Sequence, residues 1–158
     1  MDFKIRDAQK EDMHEVLLLI KELAVFEKEP EAVELTVEDL QHDGFGDEKL
    51  FTCFVAEAEG EIQGMALIYF RYSTWKGKTV HLEDLIVRKA FRGKGLGAAL
   101  YKKVMEFAQE NSVKRVEWAV LDWNQNAIDF YEKTGANVMK DWYLVQMDEK
   151  ALGNYLLS

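Results

Sequence analysis

Arg92-Gly93-Lys94-Gly95-Leu96-Gly97 decides the reading of this chain. Its glycines fall on alternate positions. Before them lies an apolar, strand-like stretch, Thr79–Val87. After them Leu96, Leu100, Val104 and Phe107 share one face of a helix running to about Glu110. Such a turn aims several backbone N–H groups at one point in front of a helix N-terminus, where the macrodipole favours an anion. Glycine has no Cβ, so a pyrophosphate can come close to the main chain. Arg92 and Lys94 add positive charge. The plain alternative is a flexible turn that caps a helix. Two other phosphate motifs are excluded. Ala98 follows Gly97, which breaks G-x-G-x-x-G spacing, and Gly77-Lys78-Thr79 lacks the glycine a Walker loop requires, position 72 being Tyr72.

Working outward, the pattern predicts a short strand at Phe3–Arg6 and a helix over Asp12–Phe26, where Met13, Val16, Leu17, Ile20 and Ala24 recur at helical steps. Thr36-Val37-Glu38-Asp39 reads as a capped helix start, and Gly44 and Gly46 as its end. Strands follow at Phe51–Ala58, Ile62–Tyr72 and Thr79–Val87. Glu59-Gly60-Glu61 and Lys76-Gly77-Lys78 are the turns between them. Beyond the glycine segment come a strand at Arg115–Leu121, a helix at Asn124–Lys133 stopped by Gly135, a strand at Trp142–Met147, and a short helix capped by Asp148. This order implies an α/β (mixed α+β) fold: a mixed, mostly antiparallel sheet with helices on both faces. One proline, no repeat and no linker leave residues 1–158 as a single expected domain.

Composition narrows the function. At 48% hydrophobic and 31% charged residues the chain is an ordinary globular protein. A net charge of −9 argues against nucleic acid as a partner, since phosphate binding needs a basic face. It suits a cationic partner, although acidity also serves solubility. The single cysteine, Cys53, lies in an apolar run and reads as a buried small hydrophobe. One cysteine and three scattered histidines give no metal-ligand spacing. No basic-then-apolar leader and no bilayer-length apolar run are present, so the expected location is cytoplasmic, with no membrane partner.

The segment Arg92–Gly97 resembles the (Q/R)-x-x-G-x-(G/A) signature of the GNAT N-acetyltransferases, with Leu82–Val87 before it and Asn124…Tyr131 after it. Ile20-Lys21-Glu22-Leu23-Ala24, Glu27, Asp43-Gly44-Phe45-Gly46, Trp75, Leu82-Glu83-Asp84, Trp123-Asn124 and Asn126–Tyr131 resemble its diamine branch, the spermidine/spermine and thialysine acetyltransferases. The resemblance implies the GNAT fold with a bulged fourth strand. It also implies acetyl-CoA as co-substrate, a small cationic amine as acceptor, direct attack in a ternary complex, and a homodimer. The backbone of Leu85, Ile86 and Val87 would pair with the pantetheine arm. Arg92, Gly93, Lys94, Gly95, Leu96, Gly97 and Ala98 would hold the pyrophosphate. Asn124, Gln125, Asn126 and Ala127 would line the far side of the cleft, and Tyr131 would stand by the sulfur as general acid. Without the resemblance, a helical tyrosine is ordinary packing.

Glu83 and Asp84 are the expected catalytic and amine-binding carboxylates, set in an otherwise apolar strand. Adjacent strand residues face opposite ways, so both reach one site only across a bulge. Failing that, one is a solvated edge carboxylate and the other structural. Glu27 is a third candidate contact, with Phe26 as wall and Trp75 as a packing surface for the amine. His81, two residues before Glu83, is either a base with a near-neutral pKa or a structural histidine. Two positions depart from the polyamine-acetylating members. Phe26 stands where a tyrosine is common, and Ser73-Thr74 where an acid is common before Trp75. Both changes point away from long polyamines, towards a shorter diamine or a thialysine-like amino acid. The competing functions are a protein or peptide N-acetyltransferase and a non-catalytic CoA-binding domain.

Overall fold

The computed structural model describes residues 1–158. By its chain contacts the molecule divides into two compact units, Met1–Ala119 and Val120–Ser158.

The first unit is built on one five-stranded sheet in the order β1 (Phe3–Asp7), β2 (Thr52–Ala58), β3 (Glu61–Ser73), β4 (Gly77–Val87), β5 (Val116–Glu117). The first four strands pair antiparallel in sequence order, and β5 joins β4 in parallel. The β2–β3 hairpin turns at Glu59 and Gly60, with φ of 55° and 78°. Two successive positive φ values match the right-handed twist of the strands they join.

Helices cover both faces of the sheet. On one side α1 (Met13–Phe26) and α2 (Val37–Phe45) bury Met13, Val16, Leu17, Leu19 and Leu40 against Cys53, Val55, Met65, Leu67 and Ile86. On the other, α3 (Leu96–Glu110) buries Leu96, Leu100, Val104 and Ala108 against Phe54, Ala66, Ile68, Val80, Leu82 and Val87. Helix α2 begins as its sequence requires. The Thr36 side chain accepts from the Asp39 N–H at 3.1 Å, and Asp39 in return accepts from the Thr36 N–H at 2.9 Å. It runs through Gly44 and ends at Phe45, with Gly46 as its C-cap, within the expected glycine pair. Gly44 lies so close to Phe51 that a Cβ there would meet the ring at 2.5 Å.

The second unit holds α4 (Gln125–Lys133) and α5 (Glu149–Leu157). Two expected strands differ here. Arg115–Leu121 pairs only over Val116–Glu117, and Trp142–Met147 forms no strand. A strand exists only when its backbone finds a partner. Over Trp142–Met147 the side chains stand exposed at both odd and even positions, Tyr143 at 93% and Leu144 at 80%. No helix is long and apolar enough to cross a membrane.

Leu100 is fully buried where α3 meets the sheet. Leu100→Ala is expected to cost about 2–5 kcal/mol, read as a lower urea midpoint at unchanged slope.

Candidate active site

Strand β4 carries the site because its two edges are used differently. One edge pairs with β3 along its length. The other pairs with β5 only at Val80 and His81, which leaves Glu83–Val87 facing no strand on that side. Leu85, Ile86 and Val87 therefore present an open edge to an extended ligand, although the Val87 carbonyl already accepts from Arg92 Nε at 2.8 Å.

After β4 a 3-10 turn over Lys89–Phe91 leads into the glycine segment. Gly93 has φ +74° and Gly95, the N-cap of α3, has φ +92°. Both lie in the left-handed region that favours glycine. A Cβ at Gly93 would meet nothing within 4 Å. No side chain caps α3, so the first N–H groups of the helix, on Leu96, Gly97 and Ala98, are available to an outside acceptor. This cradle fits a pyrophosphate. The Arg92 side chain has contacts of its own within the protein. Besides Val87, its guanidinium lies 3.7 Å from Glu22 and 5.8 Å from the centre of the Phe26 ring. It ties the turn to the end of α1. Lys94 lies over the Phe91 ring at 5.0 Å.

The register of β3 on β4 slips by one residue within the glutamate-aspartate pair. Ile68 pairs with Leu82 and Leu67 with Asp84, leaving Glu83 as the extra residue of a bulge. The packing shows what this does. Val80 and Leu82 before the bulge, and Leu85 and Val87 after it, all contribute to the α3 side. His81 and Glu83 must then face the α1 side, and Asp84 and Ile86 face it too. The two carboxylates thus share one face, the face on which α1 ends at Glu27. Electrostatics agree. Burial pushes Asp84 up to about 6, with Glu83 and Glu27 adding to the rise. Burial and Glu83 together raise Glu27 as well.

Glu83 is half exposed, and beside the expected His81 stand two side chains that the sequence reading did not name, Tyr69 and Arg71. The Tyr69 hydroxyl donates to Glu83 Oε2 at 3.0 Å, and His81 Nε2 lies 3.4 Å from the same oxygen. Arg71 sits 3.2 Å from His81 Nδ1 and 3.4 Å from Glu117. A signal for this existed. Counting a regular hairpin back from Ser73 and Gly77 pairs Tyr69 with His81, as observed.

The remaining expected residues have local settings of their own. Trp75 is exposed in the β3–β4 turn, where its N–H donates to Ser73 Oγ at 3.1 Å, at the opposite end of β4 from Val87. In the second unit Asn124 caps α4 by accepting from the Ala127 N–H at 3.4 Å, and Gln125 donates to Asp129 at 2.7 Å. Tyr131 is part-buried on α4 with its ring edge-on to Phe130. Cys53 is buried and its thiol is pushed up to about 12, chiefly by burial, which removes it as a nucleophile at neutral pH.

The Asp84 carboxyl carries a stability consequence. Its folded pKa exceeds its unfolded one, so ionising it opposes folding. That penalty is absent at pH 3, grows as pH rises through the carboxylate range towards 6, and is complete above about pH 7. Asp84→Asn is expected to stabilise the protein at pH 8 by up to about 3 kcal/mol, and to change nothing at pH 3. Urea unfolding at the two pH values checks it.

Comparison with known proteins bears on this geometry. Residues 11–136 match the model of the acetyltransferase (GNAT) family. A thialysine N-epsilon-acetyltransferase of Bos taurus is 39% identical over 159 residues, covering 94% of each chain. An L-ornithine N5-acetyltransferase of Arabidopsis thaliana is 38% identical over 125 residues, 78% of this chain and 52% of that protein. Among solved structures, an integron cassette protein of V. cholerae superposes with a TM-score of 0.81 at 21% identity, covering 100% of this chain and 99% of that one. The chain is a GNAT-family N-acetyltransferase.

Proposed function

We propose that this acetyltransferase takes its acetyl group from acetyl-CoA and transfers it to a primary amine of a small cationic substrate. The substrate class is a thialysine- or ornithine-like amino acid or a short diamine. One observation carries the reading: Glu83 and Asp84 are brought onto one face by the bulge, and Glu27 is electrostatically coupled to both. The relatives' names, on thialysine and on ornithine, support the same class of amine.

The chain's own groups divide the work. The cradle at Gly93–Ala98 would hold the pyrophosphate, and the open edge at Leu85–Val87 the pantetheine arm. Acetyl-CoA supplies the activated thioester. A lysine-like amine has a pKa of about 10.4, so freeing its lone pair at pH 7 costs roughly 4–5 kcal/mol. Glu83, half exposed, receives the ammonium. Asp84, with a pKa near 6, takes up the proton through water. Arg92 holds Phe26 as the wall beside Glu27. As the resemblance implies, Tyr131 would donate to the departing sulfur and Asn124–Ala127 would line the cofactor site. Burial of Cys53, with its thiol pushed up to about 12, supports direct attack in a ternary complex without an acyl-enzyme. The reading includes a cytoplasmic location and, as the resemblance implies, a homodimer.

A thiol-release assay with acetyl-CoA and a panel of amines tests this. Turnover is expected with free thialysine, ornithine and short diamines, above that with spermidine or a peptide. Preference for the peptide would instead mark a protein acetyltransferase. Glu83→Gln should lower kcat at least tenfold with acetyl-CoA binding intact, and Tyr131→Phe should lower it on the order of a hundredfold. CoA binding without turnover of any amine would overturn the proposal.

A further inference from the structure

We infer that Arg71 and His81, together with Tyr69, form a positioning chain that fixes which oxygen of Glu83 meets the amine and in which direction. The inference rests on the reading of Glu83 as amine receptor, and is argued from geometry.

The chain begins at Arg71. Its guanidinium lies 3.2 Å from His81 Nδ1 and has only donors to offer. Nδ1 must therefore accept, so the proton of a neutral imidazole sits on Nε2. That nitrogen is the one facing Glu83, 3.4 Å from Oε2. The Tyr69 hydroxyl donates to the same Oε2 at 3.0 Å, and its ring lies against the His81 ring with centroids 5.1 Å apart. The Tyr69 hydroxyl thus holds Oε2 with the neutral His81 Nε2–H beside it, and Oε1 remains for the ammonium. Neutral donors orient a carboxylate without cancelling its charge, which an arginine or lysine in their place would do.

Burial, with Arg71 beside the ring, is what keeps His81 neutral. It is faced by Tyr69 and Arg71 from β3, by Glu83 from its own strand, and by Glu117 from β5. Burial lowers its pKa first of all. Glu83 and Glu117 oppose that, and Arg71 reinforces it. Protonation would put an N–H on Nδ1, pointing at the guanidinium, and so break the chain at its first link. Glu117 in turn anchors Arg71 at 3.4 Å and Arg115 at 3.7 Å. The chain therefore runs across three strands and ends at the amine site.

The state of His81 can be read without any turnover. Side-chain 15N spectra, assigned with His81→Gln, should show the Nε2–H tautomer at pH 7.5. In Arg71→Met, at a half-exposed position, the two tautomers should mix and the His81 titration midpoint should move up. With thialysine and acetyl-CoA, Arg71→Met should raise the amine KM about tenfold and leave the acetyl-CoA KM unchanged. His81→Gln, which keeps a neutral donor, should retain more activity than His81→Leu. An Nδ1–H tautomer in the native protein would overturn the inference, as would an Arg71→Met variant with unchanged tautomer, midpoint and amine KM. If the native protein acetylates no amine, the proposed function falls, and the tautomer decides the positioning chain by itself.

Discussion

The bulge at Glu83 is the constraint on which the site depends. Strand β4 must satisfy two demands at once. Its apolar residues have to fill layers on both faces of the sheet, and its two acids have to reach one ligand. A regular strand meets the first and forbids the second, because successive side chains alternate. One extra residue resolves the conflict. Val80 and Leu82 stay on the α3 side, Leu85 and Val87 return to it, and Glu83 and Asp84 both face α1. The same register slip leaves the β4–β3 pairing continuous on either side, so the sheet loses little by it.

The bulge also gathers charge that the protein does not neutralise. Asp84 is influenced chiefly by burial and by two other acids, and Glu27 likewise. The arginines nearby are committed elsewhere: Arg92 to Val87, Glu22 and Phe26, and Arg71 to His81 and Glu117. A cluster of this kind opposes folding until a cation arrives. On the proposed reading the amine supplies that cation. The strain of the unliganded site becomes binding energy, and the net charge of −9 draws the substrate inward.

Much of this was legible in the sequence. The glycine segment indicated its own turn, because alternate glycines before an apolar helical face have few other uses. Thr36 and Asp39 marked a helix start through a local hydrogen-bond exchange that needs nothing from the rest of the fold. The bulge was different. Nothing in Leu82-Glu83-Asp84-Leu85 distinguishes a bulge from a strand with one acid on each face; only family likeness suggested it. The chain through Tyr69, His81 and Arg71 depends on cross-strand register, which a hairpin count could have supplied. The strand expected at Trp142–Met147 failed because apolar, β-favouring residues make a segment able to pair without providing the partner. The contacts of Arg92 with Val87 and Phe26 join residues distant in sequence, so its charge alone could not announce them.

Arg71 also bears on the length of the substrate. A polyamine presents ammonium groups at intervals along one chain, and each needs an anionic contact. On the proposed reading the first is met by Glu83, with Glu27 and Asp84 beside it. Continuing along β3 from Tyr69, the next side chain on the same face is Arg71, a fixed cation held by Glu117. Beyond it stand Ser73 and Thr74, with no acid before Trp75. A second ammonium in that direction would meet like charge where a polyamine site needs a carboxylate. The residues that orient Glu83 thus also limit what can bind beside it. A compact amine, whose remaining charges lie close to the reacting nitrogen, satisfies the acids without approaching Arg71.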